Sequence, residues 1–160
     1  YPVTDLGVLP DSNDWHPAQR VRVDTPRGPI EILNLHLRSA FLGQANAVTS
    51  YLQVGTDHNA QLDEFHQQAE DPVHLVVGDF NEESNGAAVK SLEDEGFRDA
   101  LPLFRPGQQT WRHPSLAGQF DAAIDHIMFG EALVPLNAWV LVAGNSDHLP
   151  VIADFEWPED

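Results

Sequence analysis

The stretch Val73-His74-Leu75-Val76-Val77-Gly78-Asp79-Phe80-Asn81 constrains this chain more than any other. Its apolar, β-branched run is bounded by turn signals, which reads as a strand buried on both faces. Strand alternation sends Asp79 and Asn81 to one face and Phe80 to the other. A carboxylate and a carboxamide at the end of a core strand would cost roughly several kcal/mol if left unpaired. Either a turn absorbs both side chains, as Asp and Asn commonly do at strand ends, or they face a cleft and hold something charged. An EF-hand-type calcium loop is excluded, because Ser84 stands where that loop needs Gly and Lys90 where it needs Glu.

The remainder of the chain is punctuated in a way that fits one domain, residues 1–160. Tyr1 to Pro17 reads as an extended lead-in followed by a loop. Arg20–Asp24 and Ile30–Leu37 form a hairpin around Thr25-Pro26-Arg27-Gly28-Pro29. In the second of these strands Ile30, Ile32, Asn34 and His36 share one face, with Glu31, Leu33, Leu35 and Leu37 on the other. Gln44 to Ala69 contains no proline, and Val48, Leu52, Leu62, Phe65 and Ala69 fall near helical spacing, with a break expected near Gly55, which reads as one or two helices packing on a sheet. A short helix follows from Ser84 to Glu95, ending at Gly96. Glu82 and Glu83 sit near its start, where negative charge suits the helix dipole. Further strands are expected at Thr110-Trp111, Ala122–Phe129, Trp139–Val142 and Val151–Phe155. Strands joined both by hairpins and by helices make the class α+β with a mixed sheet.

Charge narrows the function. The chain carries 25 acidic and 8 basic residues, a formal charge of −17. Lys90 is its single lysine. A basic nucleic-acid footprint is absent, so a phosphate-bearing substrate would need divalent cations to neutralise it. There is no cysteine, which excludes thiol catalysis, disulfides and thiolate metal sites. No apolar run is long enough to span a bilayer.

Polar residues recur where apolar ones belong. His36 ends an apolar strand, Asp125 lies within Ala-Ile-Asp-His-Ile, and Asp147-His148 immediately precedes the last strand. His16, His58, His66, His74, His113 and His126 read as ordinary core or surface residues. Together with Asp79 and Asn81 the first group supplies carboxylates for a hard cation, an amide and two imidazoles. Mg²⁺ or Mn²⁺ is bound by a few carboxylates plus phosphate oxygens and water, and imidazoles aimed at phosphate stabilise charge there. That combination suits phosphoester hydrolysis.

Asn34-Leu35-His36-Leu37, Gly78-Asp79-Phe80-Asn81, Gly96-Phe97-Arg98-Asp99-Ala100, Thr110-Trp111, Ile124-Asp125-His126-Ile127 and Ser146-Asp147-His148-Leu149-Pro150-Val151 occur in that order. The ordered set resembles the endonuclease/exonuclease/phosphatase superfamily, metal-dependent phosphoesterases related to pancreatic deoxyribonuclease. The resemblance implies a four-layer α/β sandwich of two mixed sheets flanked by helices. It implies His148 at the scissile phosphate, oriented by Asp125, with Asp79 orienting or deprotonating the attacking water. Asn81 would hold phosphate or water, His36 would bond a phosphate oxygen, and Asp147 and Asp79 would serve the metal, Mg²⁺ or Mn²⁺ with Ca²⁺ as a further candidate. The implied partner is a phosphoester, whether a small ester, a phospholipid head group or nucleic acid.

The family pattern starts with an Asn-bearing strand and a strand carrying a metal-binding Glu, and neither has a counterpart here. The resemblance therefore implies the C-terminal portion of a longer domain. Glu31, on the face opposite His36, is a poor substitute for that Glu. Two expectations follow: weak metal binding by the isolated chain, and an open sheet edge able to pair with the chain's own N-terminal segment or with a second copy. A binding module that keeps this fold without turnover is the competing reading.

Overall fold

The computed structural model describes residues 1–12, 16–39, 47–69, 72–115 and 118–159, with the side chains of 47–55, 114, 115 and 118 left aside. Val48, Leu52 and the start of the segment at Gln44 therefore lie outside the described residues or side chains. A mixed six-stranded sheet runs in the order β1-β2-β3-β4-β8-β5. Its members are β1 (Val3–Leu9), β2 (Ala18–Thr25), β3 (Gly28–His36), β4 (Leu75–Asp79), β5 (Arg98–Asp99) and β8 (Asp125–Phe129). β3 and β4 are parallel and are joined through helix α1 (Ala47–Gln68); the other pairings are antiparallel. Two antiparallel pairs complete the strands: β6 (Trp111–Ser115) with β7 (Gly118–Ala122), and β9 (Val134–Val140) with β10 (Val151–Glu156).

β4 is buried from both sides, as its apolar run requires. On one face Leu33, Leu35, Val76, Phe80 and Met128 pack against Leu62 and Phe65 of α1 and Ala88, Val89 and Leu92 of helix α2 (Ala87–Asp94). On the other, Leu75, Val77, Ile127 and Phe129 meet Ala138, Val140, Val151 and Ala153 of β9–β10, together with Ala100 and Leu101 of helix α3 (Ala100–Phe104). Each large apolar side chain buried this way contributes about 1.5–3 kcal/mol. The architecture is α+β with mixed sheets, the class expected.

Among the differences from the sequence expectation, three bear on the sheet. Val3–Leu9 is a strand at the sheet edge rather than an unpaired lead-in, because its backbone pairs along β2 despite an exposed, weakly alternating side-chain pattern. α1 runs through Gly55 without a break, since one helix packed on a sheet tolerates a glycine worth only about 1 kcal/mol. Ala122–Phe129 is two strands, parted at Ala123-Ile124 where Thr110 captures the backbone N–H groups of Ile124 and Asp125. The segment after Asp99 starts with α3, capped by the Asp99 carboxylate on the Leu101 N–H.

α2 ends as expected: Glu95 is its C-cap and Gly96 follows with φ +95°. Its start is unusual. Gly86 at the N-cap offers no side chain, and Glu82 supplies the cap from outside the helix, accepting from Ala87 N (3.1 Å) and Val89 N (2.8 Å). Among the described residues no helix is long and apolar enough to cross a membrane.

Candidate active site

Register places the site. His36 is paired with Asp79 across the parallel β3/β4 ladder, and Asp79 with Asp125 across the antiparallel β4/β8 ladder. Three polar residues thus stand side by side at one end of the sheet, a strand spacing of about 4.8 Å apart. Close approach of β3 to β4 just before Asp79 depends on Gly78. Its φ is +133°, and a Cβ there would lie 1.9 Å from the Leu35 carbonyl oxygen.

His148 reaches this row from the loop before β10. Leu149 N donates to Thr110 O (2.7 Å) and Arg112 N to Asp147 O (2.9 Å), clamping the loop to the start of β6. His148 Nδ1 then meets both carboxylate oxygens of Asp125, at 2.9 and 3.0 Å. Fully buried Thr110 donates its hydroxyl to Asp125 Oδ2 at 2.6 Å. Asp125 is therefore committed to holding the imidazole in orientation. Nδ1 is the proton donor of that pair, which leaves His148 Nε2 as the free position, 3.7 Å from Asp79 Oδ2. His36 Nε2 approaches the same oxygen at 3.5 Å.

Asp79 Oδ1 accepts the Asn81 backbone N–H at 2.8 Å, and Asn81 adopts a left-handed backbone with φ +51°. β4 has already ended at Asp79, so strand alternation does not extend to Asn81. Its side-chain amide instead donates to Leu37 O at 2.8 Å. A turn thus absorbs one oxygen of Asp79, the Asn81 amide is spent on Leu37, and Asp79 keeps its other oxygen toward the cleft.

Burial is the largest influence on both cleft-facing groups. It raises the Asp79 pKa, reinforced by the neighbouring Asp125 charge and opposed by the Asn81 N–H and the two imidazoles. It lowers the His36 pKa against the pull of Asp79, with His16 and His148 acting in the same direction as burial. Asp147 is brought to a different place: its Oδ2 accepts the Trp111 indole N–H at 3.0 Å, which holds its pKa below the usual carboxylate range.

Asp79, Asp125 and His148 each bring a donor atom within 4.8 Å of the others, a grouping able to hold a metal ion. The donor chemistry fits a hard cation through Asp79, since Asp125 is engaged by His148 and Thr110. Mg²⁺ customarily takes one or two carboxylates and fills its shell with water and phosphate oxygens. The site opens into a cleft of about 550 Å³ between the sheets, lined by Asn34, Val77, Asp79, Asp125, His148 and Val151 among others.

Two participants escape the sequence reading. Thr110 orients Asp125; it is legible only as part of a Thr-Trp motif. His16 stacks on His36, with ring centroids 4.2 Å apart and planes 7° from parallel, although its position in a loop carries no signal.

A model of the Endonuclease/Exonuclease/phosphatase family matches residues 1–148. No curated protein matches the sequence. Solved structures share the fold. An endonuclease/exonuclease/phosphatase from Beutenbergia cavernae DSM 12333 is 19% identical with a TM-score of 0.72, covering 96% of this chain and 45% of that one. The human Nocturnin catalytic domain with bound sulfate is 22% identical with a TM-score of 0.58, covering 99% and 59%. The 3′ phosphatase NExo from Neisseria, bound to a product DNA hairpin, is 18% identical with a TM-score of 0.62, covering 96% and 72%. The chain spans about half the length of the first two of these structures.

Proposed function

This chain belongs to the endonuclease/exonuclease/phosphatase family, and we propose that its site hydrolyses phosphoester bonds by in-line attack of water with the help of a divalent cation. One observation carries the reading. The Asp125–His148 pair aims a free imidazole nitrogen at the oxygen of Asp79, with His36 flanking the same oxygen.

In this scheme the attacking water sits against Asp79 Oδ2. Asp79 takes its proton as the oxygen–phosphorus bond forms. His148, held by Asp125, faces the phosphorus centre and hydrogen-bonds the charge that develops there. His36 bonds a non-bridging oxygen, and the P–O bond to the leaving group breaks with that ester oxygen taking a proton from solvent water. Asn81 fixes the Asp79 carboxylate through its backbone N–H and ties the loop to Leu37 through its amide. Mg²⁺ or Mn²⁺ held by Asp79 would supply charge neutralisation at the phosphate.

Substrate size follows from charge. A chain at −17 with one lysine repels long polyanions, which favours small phosphoesters or phospholipid head groups. The fold neighbours include a mannosyl-6-phosphatase from Bacteroides thetaiotaomicron and D. rerio TDP2 complexed with single-strand DNA product, so the fold accommodates both substrate sizes.

The test is hydrolysis of p-nitrophenyl phosphate and bis(p-nitrophenyl) phosphate with Mg²⁺ or Mn²⁺, against EDTA. Slow, metal-dependent release that disappears in His148→Ala and Asp79→Asn is the expected result. Phosphoester binding without turnover, equal in the wild type and these variants, would establish the binding-module reading instead.

A further inference from the structure

Three catalytic segments meet at the sheet end: the end of β3 with His36, the loop Asp79–Glu82, and the start of β8 with Asp125. Beneath them lies a buried polar cluster that the hydrolytic scheme leaves unused. Glu82, 7% exposed, is its centre, and His58 and His126 flank it at 1% and 2%.

The connections run in both directions from Glu82. Its Oε2 lies 2.7 Å from His58 Nδ1, and the opposite nitrogen of that ring, Nε2, lies 2.6 Å from the Arg38 carbonyl oxygen, two residues beyond His36. Its backbone carbonyl lies 2.9 Å from His126 Nε2, and His126 Nδ1 is 2.6 Å from Asp99 Oδ2. His126 directly follows Asp125 in β8. Carboxylates and carbonyls only accept, so both nitrogens of the His126 ring must donate. The carboxylate also caps α2 through Ala87 N and Val89 N. Gly86 leaves the room this needs, since a Cβ there would come within 2.3 Å of Glu82 Cδ.

We propose that His58, Glu82 and His126 are positioning residues: a His–Glu–His strap under the site that sets the spacing of His36, Asp79 and Asp125. Through His58 the strap joins the β3 segment to the Asp79–Glu82 loop, and through His126 it joins that loop to β8. Simple burial of three polar residues does not require this route. His58 ends on the Arg38 carbonyl beyond His36 and His126 on the Glu82 carbonyl of the Asp79–Glu82 loop, while the contacts to Asp99 and to the start of α2 anchor the strap to the surrounding fold. The proposal rests on the proposed function only for its kinetic arm.

The experiment uses Glu82→Gln, which keeps size and one acceptor oxygen, and His126→Gln, whose amide N–H still reaches the Glu82 carbonyl. Imidazole resonances of His36 and His148 are followed by NMR in the folded chain, with amides of β9–β10 as the remote reference. Kinetics on bis(p-nitrophenyl) phosphate are measured alongside. The strap predicts shifted or broadened His36 and His148 signals in Glu82→Gln, an unchanged β9–β10 reference, and a kcat about 10-fold or more lower with KM within about 2-fold. His126→Gln should recover part of both. Unmoved His36 and His148 signals in folded Glu82→Gln would overturn the proposal, whatever the turnover. Moved signals in a chain without wild-type turnover would uphold the strap and reject hydrolysis. If Glu82→Gln fails to fold, His58→Gln takes its place with the same readouts.

Discussion

Two Asp–His pairs leave β8 from adjacent residues on opposite faces of the strand. Asp125 takes His148 at 2.9 Å with side chains 19% and 33% exposed; His126 takes Asp99 at 2.6 Å with side chains 2% and 6% exposed. Chemically they are the same pair. They differ in the second ring nitrogen: in His148 it faces the cleft and Asp79 Oδ2, whereas in His126 it is closed by the Glu82 carbonyl. An imidazole can move a proton to a substrate only with a nitrogen left over. The open pair is thus equipped for chemistry, and the closed one for holding segments together.

Breaking each pair should therefore damage different properties. His148→Ala should have the largest effect, lowering turnover by about 10²–10⁴-fold while the thermal midpoint stays close to wild type; activity assays and calorimetry check it. His126→Ala should act first on stability, destabilising the fold by about 3–5 kcal/mol because a buried Asp99 charge loses its partner, as urea unfolding would read, with a smaller loss of turnover than His148→Ala. A surviving midpoint in His126→Ala would dissolve the comparison.

Thr110→Val sharpens it from the Asp125 side. This change leaves the Ile124 and Asp125 N–H groups and one carboxylate oxygen without the hydroxyl, and should cost about 1–3 kcal/mol. It should also lower kcat more than it raises KM.

The pairs differ next in pH. Burial pulls the His126 pKa down, but the hydrogen bond and charge of Asp99, helped by Glu82, outweigh it and the value is raised. Folding therefore favours protonated His126. Its contribution is fully present below the unfolded value of about 6.5 and fades as pH rises through the folded value. Urea midpoints measured across that window should fall with rising pH, and His126→Gln should flatten the slope. The smallest effect belongs to Trp111→Phe. It removes the indole donor from exposed Asp147, so the Asp147 pKa should return toward the ordinary carboxylate range in an NMR titration with the midpoint unmoved.

Much of this site is legible in one dimension. Asp79, His36 and Asp125 stand out because a charged or polar side chain at the end of an apolar strand violates alternation, and period 2 with its bounding turns is a local property of the chain. Asp147-His148 stands out for the same reason before Val151. Thr110 and His16 do not, because neither breaks a pattern; their roles exist only through a neighbour far along the chain. Asp147 shows the converse. Its motif marks it as a metal residue, while its side chain in the fold is bonded to Trp111.

The two histidines of β8 and its partner loop mark the boundary most sharply. Local patterning is enough to say that residues 125 and 126 point to opposite faces, that β4 is a core strand, and that the family motifs follow in order. It cannot say which imidazole meets which carboxylate. Asp125 with His148 and Asp99 with His126 are separated by 23 and 27 residues, and those distances close only when β4 and β8 pair in register and the 147–149 loop docks on β6. Alternation sets direction residue by residue; which imidazole keeps an open nitrogen and which is closed on both sides depends on long-range closure, which no local period encodes.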